Sequence, residues 1–254
     1  MTAAPSRFLG QRWTVGKDGT SVVVDQTEAI DALLAEYDMT NCHPGLTPVV
    51  PGHYLRATAT ASSDPRYSHL TGTLLWLLQT RPDLNFAVTT MSRHLRRNDD
   101  THMAYGRQVM RYLKRTRSSG LTLRASSDLQ LRCWVDSSYA EDPDTRRSCS
   151  SIIITLGSSV VFSKVFLQPT VAVSSCEAEL NGFFEAALWL EFLLRSWVSP
   201  SKDLPLSTRI VPQPLRCSRS AFPQVAPSTT TYAISASTSP STVARSRYNG
   251  STLV

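Results

Sequence analysis

The 254 residues allow one large domain or two modest ones, and 41% hydrophobic residues suffice for a packed core, which excludes wholesale disorder. The net charge of +6 is uneven: from residue 200 onward six basic residues meet one acid, Asp203, so the basicity belongs to the end of the chain and is no nucleic-acid footprint by itself. Five scattered cysteines (Cys42, Cys133, Cys149, Cys176, Cys217) form no CxxC pair, which points to reduced thiols in an intracellular protein, and neither a signal peptide nor an apolar run of membrane-spanning length is visible.

Residues 8–15 are an apolar run, Lys17-Asp18-Gly19 a turn, and Ser21-Val22-Val23-Val24 a second strand, together a hairpin signal. Asp25 followed by Glu28 has capping-box spacing and opens a helix with Ile30, Leu33, Leu34 and Tyr37 on its apolar face. Residues 39–63, with Pro44, Gly45, Pro48, Pro51 and Gly52, read as a connecting loop.

Residues 64–117 are helical. Asp64-Pro65 is a cap with an N1 proline, and Leu70, Leu74, Leu77 and Leu78 follow. Arg81-Pro82 breaks that helix. Leu84, Val88, Met91 and Leu95 mark a second, and Asn98-Asp99-Asp100 punctuates before Met103, Gly106, Met110 and Leu113 mark a third. The third ends in Arg111, Lys114, Arg115 and Arg117. These cations suit the helix dipole, and the alternative is contact with phosphates by the same face.

Residues 121–197 switch to strands. Residues 121–124 and 129–135 alternate, and residues 151–156 and 160–165 flank a Gly157-Ser158-Ser159 turn. A long helix over 175–197 carries Leu180, Phe183, Ala187, Leu190 and Leu194. Strands followed by one helix predict a mixed sheet with the helix on its face. Residues 200–254 hold 25 Ser, Thr and Pro among 55, with no helical stripe, and predict a disordered tail.

Among the acids, Asp136 follows an apolar strand and precedes small residues, where it can hold a metal ion or simply cap a turn. Asp142 and Asp144 read as loop acids. Ser174 and Glu177 have capping-box spacing, which gives Glu177 a structural task and leaves Glu179 as the spare carboxylate of the first turns. No phosphate-binding glycine loop, GxSxG or HExxH occurs. The five histidines (His43, His53, His69, His94, His102) share no spacing and all precede the carboxylates, so triads and zinc hydrolysis have no support.

An ordered set of segments over residues 8–197 resembles the C-terminal part of the polyprotein of copia-type LTR retrotransposons. Phe8-Leu9-Gly10, Asp25-Gln26, Met39 and Thr47-Pro48 look like the end of a reverse transcriptase palm. Tyr67-Ser68-His69-Leu70-Thr71-Gly72-Thr73-Leu74-Leu75-Trp76-Leu77, Thr80-Arg81-Pro82-Asp83-Leu84-Asn85-Phe86-Ala87-Val88, Met91-Ser92-Arg93, His102 and Arg111-Tyr112-Leu113-Lys114-Arg115-Thr116 look like a thumb and connection. Trp134-Val135-Asp136-Ser137-Ser138-Tyr139-Ala140, Arg147-Ser148 and Val173-Ser174-Ser175-Cys176-Glu177-Ala178-Glu179-Leu180 look like a ribonuclease H domain.

The resemblance implies an α+β fold in four parts: the end of a palm (1–48), a helical thumb/connection (49–120), a partial ribonuclease H-like domain (121–198) and a low-complexity tail (199–254). It implies a carboxylate cluster binding Mg²⁺ and cutting the RNA strand of an RNA–DNA hybrid. Asp136 matches the first-strand aspartate and Glu179 the helix glutamate, with Glu177 as the alternative; Arg111, Lys114 and Arg115 are the nucleic-acid candidates.

The departures bear on activity. The polymerase aspartates are expected before residue 1, so polymerisation is not. A strand with a third metal aspartate and Asn is expected after the long helix, and nothing from residue 199 onward matches it. The family's Trp and Lys-Gln pair are lost within residues 161–170, although Ser163-Lys164 remain. The break near residue 198 fits a reading-frame change in a decaying element, or else a genuine basic tail. Hydrolysis is therefore expected to be weak or absent, and the alternative is a non-catalytic relic or nucleic-acid-binding protein, with a full-length polyprotein as a further expected partner and no membrane.

Overall fold

The computed structural model describes residues 6–58, 63–125, 130–197 and 208–212. Its elements fall into a helical unit with a small sheet, and a second sheet carrying one long helix. No helix among the described residues is long and apolar enough to cross a membrane.

The first sheet contains β1 (Ser6–Phe8), β2 (Gln11–Val15), β3 (Ser21–Asp25) and β4 (Leu121–Arg124), all antiparallel in that order. The apolar run over 8–15 is thus not one strand. Leu9 and Gly10 both take positive φ, 48° and 74°, and turn the chain between β1 and β2. Gly10 also has Trp76 against it, where a Cβ would lie 2.8 Å from Cζ2. The strand over 121–124, read with the C-terminal strands from sequence, instead pairs with β3.

Helix α1 (Thr27–Glu36) is buried through Ile30, Leu33 and Leu34. Its predicted capping box is absent: Gln26 occupies the N-cap without a side-chain bond. The Asp25 carboxylate accepts from the Thr27 amide (3.1 Å) and pairs with Arg12 across the sheet, so this acid ties strand to helix.

Helix α2 (Pro65–Leu77) starts as expected, with Asp64 accepting from the Arg66 amide and Pro65 at N1. A 3₁₀ turn (Pro82–Leu84) leads into α3 (Asn85–Ser92), which ends before Leu95. Helix α4 (Asp100–Arg115) opens on a capping box between Asp99 and His102. Together α1, α2, α3 and α4 enclose the first core, with Tyr67, Leu70, Leu74, Leu77, Leu84, Met91, Val109 and Leu113 all fully buried. Arg81, which the sequence presents only as a helix breaker, is buried beside this core. Its guanidinium forks onto Asp83 (3.0 and 2.7 Å) and donates to Thr116 O at 3.1 Å, joining the α2 exit to the end of α4.

The second sheet has the order β7-β6-β5-β8, from β5 (Leu131–Ser138), β6 (Cys149–Leu156), β7 (Ser159–Leu167) and β8 (Thr208–Pro212). β5, β6 and β7 are antiparallel neighbours, and β8 runs parallel to β5, with Leu131 opposite Thr208 and Val135 opposite Pro212. Within the stretch read from sequence as low complexity, residues 208–212 form this edge strand after the long helix, without the aspartate and Asn expected of a strand there. The rest of the tail, 199–207 and 213–254, lies outside the described residues.

Helix α5 (Ser175–Trp197) packs on β5 and β6. Its buried line is Ala178, Gly182, Ala186 and Leu190, not the Leu180-centred face read from sequence. Small residues bring the helix close: a Cβ on Gly182 would stand 2.6 Å from Ser137 Oγ and 3.2 Å from Val135 Cγ1. Phe183, Trp189 and Leu193 add partly buried surface, and Lys164 on β7 reaches Glu185 at 2.6 Å.

The two units meet along α3 and β7. Asn85 donates to Ser163 Oγ (2.8 Å), Thr89 to Val165 O (3.3 Å), and Arg93 pairs with the buried Asp142. Asp142, expected as a loop acid, is a buried fastener that also accepts from Thr145, while Asp144 accepts from the Ala57 amide at 2.7 Å.

Candidate active site

Two of the sequence-selected acids come together. Asp136 lies inside β5 rather than at its end, paired with Ser151 of β6, and is exposed. Glu179 sits in the second turn of α5 and is half-buried. Burial raises the Glu179 carboxyl above the usual glutamate value, and the Asp136 charge raises it further, against a lowering hydrogen bond from the Ser137 backbone. Glu179 thus lies within the field of the Asp136 carboxylate.

Glu177 is committed elsewhere. Its amide donates to Ser174 Oγ (3.1 Å), and its own carboxylate accepts from the Val173 amide at 2.7 Å. The helix start needs that carboxylate, because the first turn of a helix leaves its amides without intrahelical partners. The alternative between Glu177 and Glu179 is thereby weighted toward Glu179 by geometry.

Beneath the acids runs a buried polar chain that sequence reading missed. Ser137 Oγ lies 2.8 Å from Ser150 Oγ, and Gln168 Nε2 donates to Ser150 Oγ (2.8 Å) and Ala178 O (2.7 Å). Asn181 donates to Gln168 Oε1 at 3.3 Å. This chain joins β5, β6 and α5 through Ser137, the residue after Asp136, and through Ala178, the residue before Glu179, so it fixes the helix turn that carries Glu179. Only contact across three elements reveals it, since Gln168 follows β7 with no local motif.

The donor set for a metal ion is short. No group of three or more His, Cys, Asp or Glu side chains gathers anywhere among the described residues. β8 contains no acid, and its pairing with β5 is described up to Val135–Pro212, one position short of Asp136. Two carboxylates suit a single, largely hydrated Mg²⁺ and not a two-ion site, which needs more negative ligands to hold its charge.

The basic candidates lie on α4, which packs against α1, α2 and α3. The Lys114 ammonium donates to Thr40 O (2.6 Å) and Cys42 O (2.9 Å), clamping the loop before α2. Arg111 and Arg115 are exposed. The same loop is pinned by Gly45 donating to Arg111 O (2.9 Å) and Gln108 to Thr47 O (2.9 Å), and it buries Leu55 in the core.

No family model matches the chain, and no solved structure does. Similar proteins are found by sequence. The retrovirus-related Pol polyprotein from transposon RE1 of Arabidopsis thaliana is 31% identical over 162 residues, 63% of this chain and 11% of that protein. The corresponding polyprotein from transposon TNT 1-94 of Nicotiana tabacum is 26% identical over 202 residues, 74% of this chain and 15% of that protein. The uncharacterized mitochondrial protein AtMg00810 of Arabidopsis thaliana is 29% identical over 198 residues, covering 77% of this chain and 79% of its own length. The chain therefore spans only a small part of the polyproteins it matches, and it is homologous, at distant identity, to copia-type retrotransposon Pol polyproteins.

Proposed function

We propose that the chain is the thumb/connection and ribonuclease H-like piece of such a polyprotein, with a reduced site at Asp136 and Glu179 directed at the RNA strand of an RNA–DNA hybrid. The observation that carries this reading is the closeness of Glu179 to Asp136, whose charge adds to the burial that raises the Glu179 carboxyl, on a helix and a strand joined by the buried Ser137–Ser150–Gln168 chain. A carboxylate raised by a neighbouring carboxylate is poised to accept a cation or a proton. With two acids in place of a larger cluster, hydrolysis is weak or absent.

Among the described residues the donor set does not fit a two-ion mechanism. Mg²⁺ would rest against Asp136 and Glu179, where it would lower the repulsion between them. The deciding assay follows cleavage of a labelled RNA strand in a hybrid, with and without Mg²⁺. Any activity present is lost in Asp136→Asn, and cleavage that survives this substitution removes the assignment. Exposed Arg111 and Arg115 favour a second reading, binding of nucleic acid without cleavage. It requires retention of the hybrid that weakens steeply with salt and with Arg111→Ala/Arg115→Ala.

A further inference from the structure

Two histidines that share no sequence spacing meet inside the helical unit. His94 lies in the turn between α3 and α4 and is 6% exposed; His102, in the first turn of α4, is 2% exposed. Their ring centroids stand 4.7 Å apart at 55°. The Nε2 atoms of both rings are buried without a hydrogen-bond partner. Nδ1 of His102 belongs to the α4 cap, 3.2 Å from the Asp99 amide nitrogen and 2.8 Å from its carboxylate. Protonation puts an N–H on both ring nitrogens. An imidazolium here therefore leaves a charged donor buried and unpaired, with a second ring at contact distance.

The groups around the pair set its response. In the same turn Arg93 adjoins His94, and Arg96 and Arg97 follow, both exposed. From α4 come His102, with Asp99 at its cap, and Tyr105, whose ring meets that of His53 at 5.9 Å. From α2, Tyr67 stands edge-on to His102, also at 5.9 Å. From the loop after β5 come Asp142 and Asp144, and Glu141, whose charge reaches Tyr105. The two aspartates favour an imidazolium at His94. Burial, His102 and Arg93, in that order, outweigh them and hold the imidazole below the ordinary histidine value. The turn is also stitched by hydrogen bonds. The His94 carbonyl accepts from the Arg97 amide (3.2 Å) and from Asn98 Nδ2 (3.3 Å), and Asn98 Oδ1 accepts from the Asp64 amide at the α2 cap (2.9 Å). Arg93 carries the ion pair to Asp142, so a charge on His94 repels a guanidinium that fastens the two units.

We propose that His94 and His102 form an acid-released latch: the neutral rings keep the turn over 93–99 closed against α2 and α4, and protonation of His94 opens it together with the Arg93–Asp142 joint. The folded imidazole takes its proton at lower pH than the unfolded one. The contribution of the latch is therefore complete above the ordinary histidine value of about 6.5 and is lost as pH falls through the folded value. Asp142 stays ionised through that window: burial pushes its carboxyl up, but Thr145 and Arg93 hold it below the usual aspartate value. With an ordinary histidine in the opened turn and a neutral one in the closed turn, the open population rises about tenfold between about pH 7.5 and about pH 5.5. This inference is independent of any cleavage at Asp136, and its test reads local opening.

Amide hydrogen exchange of the full chain, read by mass spectrometry and corrected for the intrinsic effect of pH, is the experiment. In the wild type the protection of residues 93–99 and of residues 142–147, whose amides bond around Asp142, falls about tenfold over that pH range, while β6 keeps its own. His94→Gln removes the response. His43→Gln, at an exposed position outside the turn, retains it. A histidine titration of the wild type by nuclear magnetic resonance stands beside this, so a His94→Gln chain that fails to fold still leaves a deciding result: His94 titrates below about 6.5. Protection unchanged with pH overturns the proposal, as does a response that persists in His94→Gln. Loss spread equally over β6 overturns it too, and so does a His94 resonance that titrates at or above the ordinary value.

Discussion

Glu179 shows at the level of one side chain how a candidate site works against its own fold. Its carboxyl titrates higher in the folded chain than in the unfolded one, through burial and the charge of Asp136. The folded state therefore holds that proton longer, and the resulting stabilisation is complete below the ordinary glutamate value of about 4.3 and lost as pH rises through the folded value. At neutral pH the ionised pair costs stability. Glu179→Gln is expected to raise the melting temperature at neutral pH by about 1–2 °C, a small effect because the group is partly exposed, and to give no gain in acid. Thermal circular dichroism at two pH values measures this, and a lower neutral melting temperature would contradict the coupling. Millimolar Mg²⁺ is expected to raise the wild-type value and leave Asp136→Asn unmoved. Asp142 has the opposite sign: burial pushes it up, but its bonds to Thr145 and the charge of Arg93 hold it below the usual aspartate value.

Among the elements, the α5–β5 seam decides whether the two acids can meet. Gly182 permits the approach, with Ser137 Oγ and Ser150 Oγ at 2.6 and 3.1 Å from any added Cβ. Gly182→Val must push the helix off the strand. The expected cost is about 2–3 kcal/mol in denaturant unfolding, together with loss of Mg²⁺-induced stabilisation. An unchanged unfolding midpoint would mean that the seam is looser than described.

This scale also shows what sequence made legible. Helices α2, α4 and α5 announced themselves through long apolar repeats, Asp64 and Ser174 cap where the sequence predicts, and Asp99, read only as punctuation, caps α4. Asp136 and Glu179 were readable because a strand and a helix start are both local signals. The α1 cap misled, since Asp25 answers to Arg12 on another strand. β8 escaped notice because five residues within a Ser/Thr/Pro-rich stretch carry no period, and its pairing partner is remote in sequence. Gln168, Leu55 and the burial of Arg81 were invisible for the same reason: each depends on a contact between distant segments.

For the whole molecule, the joint between the two units rests on few polar contacts, of which Arg93–Asp142 is the most buried: the Asp142 side chain is 2% exposed. Arg93→Ala leaves that charge without its guanidinium and is expected to destabilise the chain by about 3 kcal/mol. Arg93→Ala combined with Asp142→Asn should cost clearly less than the two single changes summed, which a double-mutant cycle in urea reads directly. Strict additivity would show that the pair does not hold the units together.

The parallel strand β8 carries a consequence in time. Leu131 finds its partner Thr208 only 77 positions later, across the whole of β6, β7 and α5. During synthesis the chain must expose one edge of β5 until residues 208–212 have left the ribosome. That edge, with Cys133 and Val135 beside it, is the surface on which nascent copies would stick to one another. Long-range parallel pairing of this kind is slow to form, so yield from expression should depend on temperature and on chaperones more than on the stability of the finished fold.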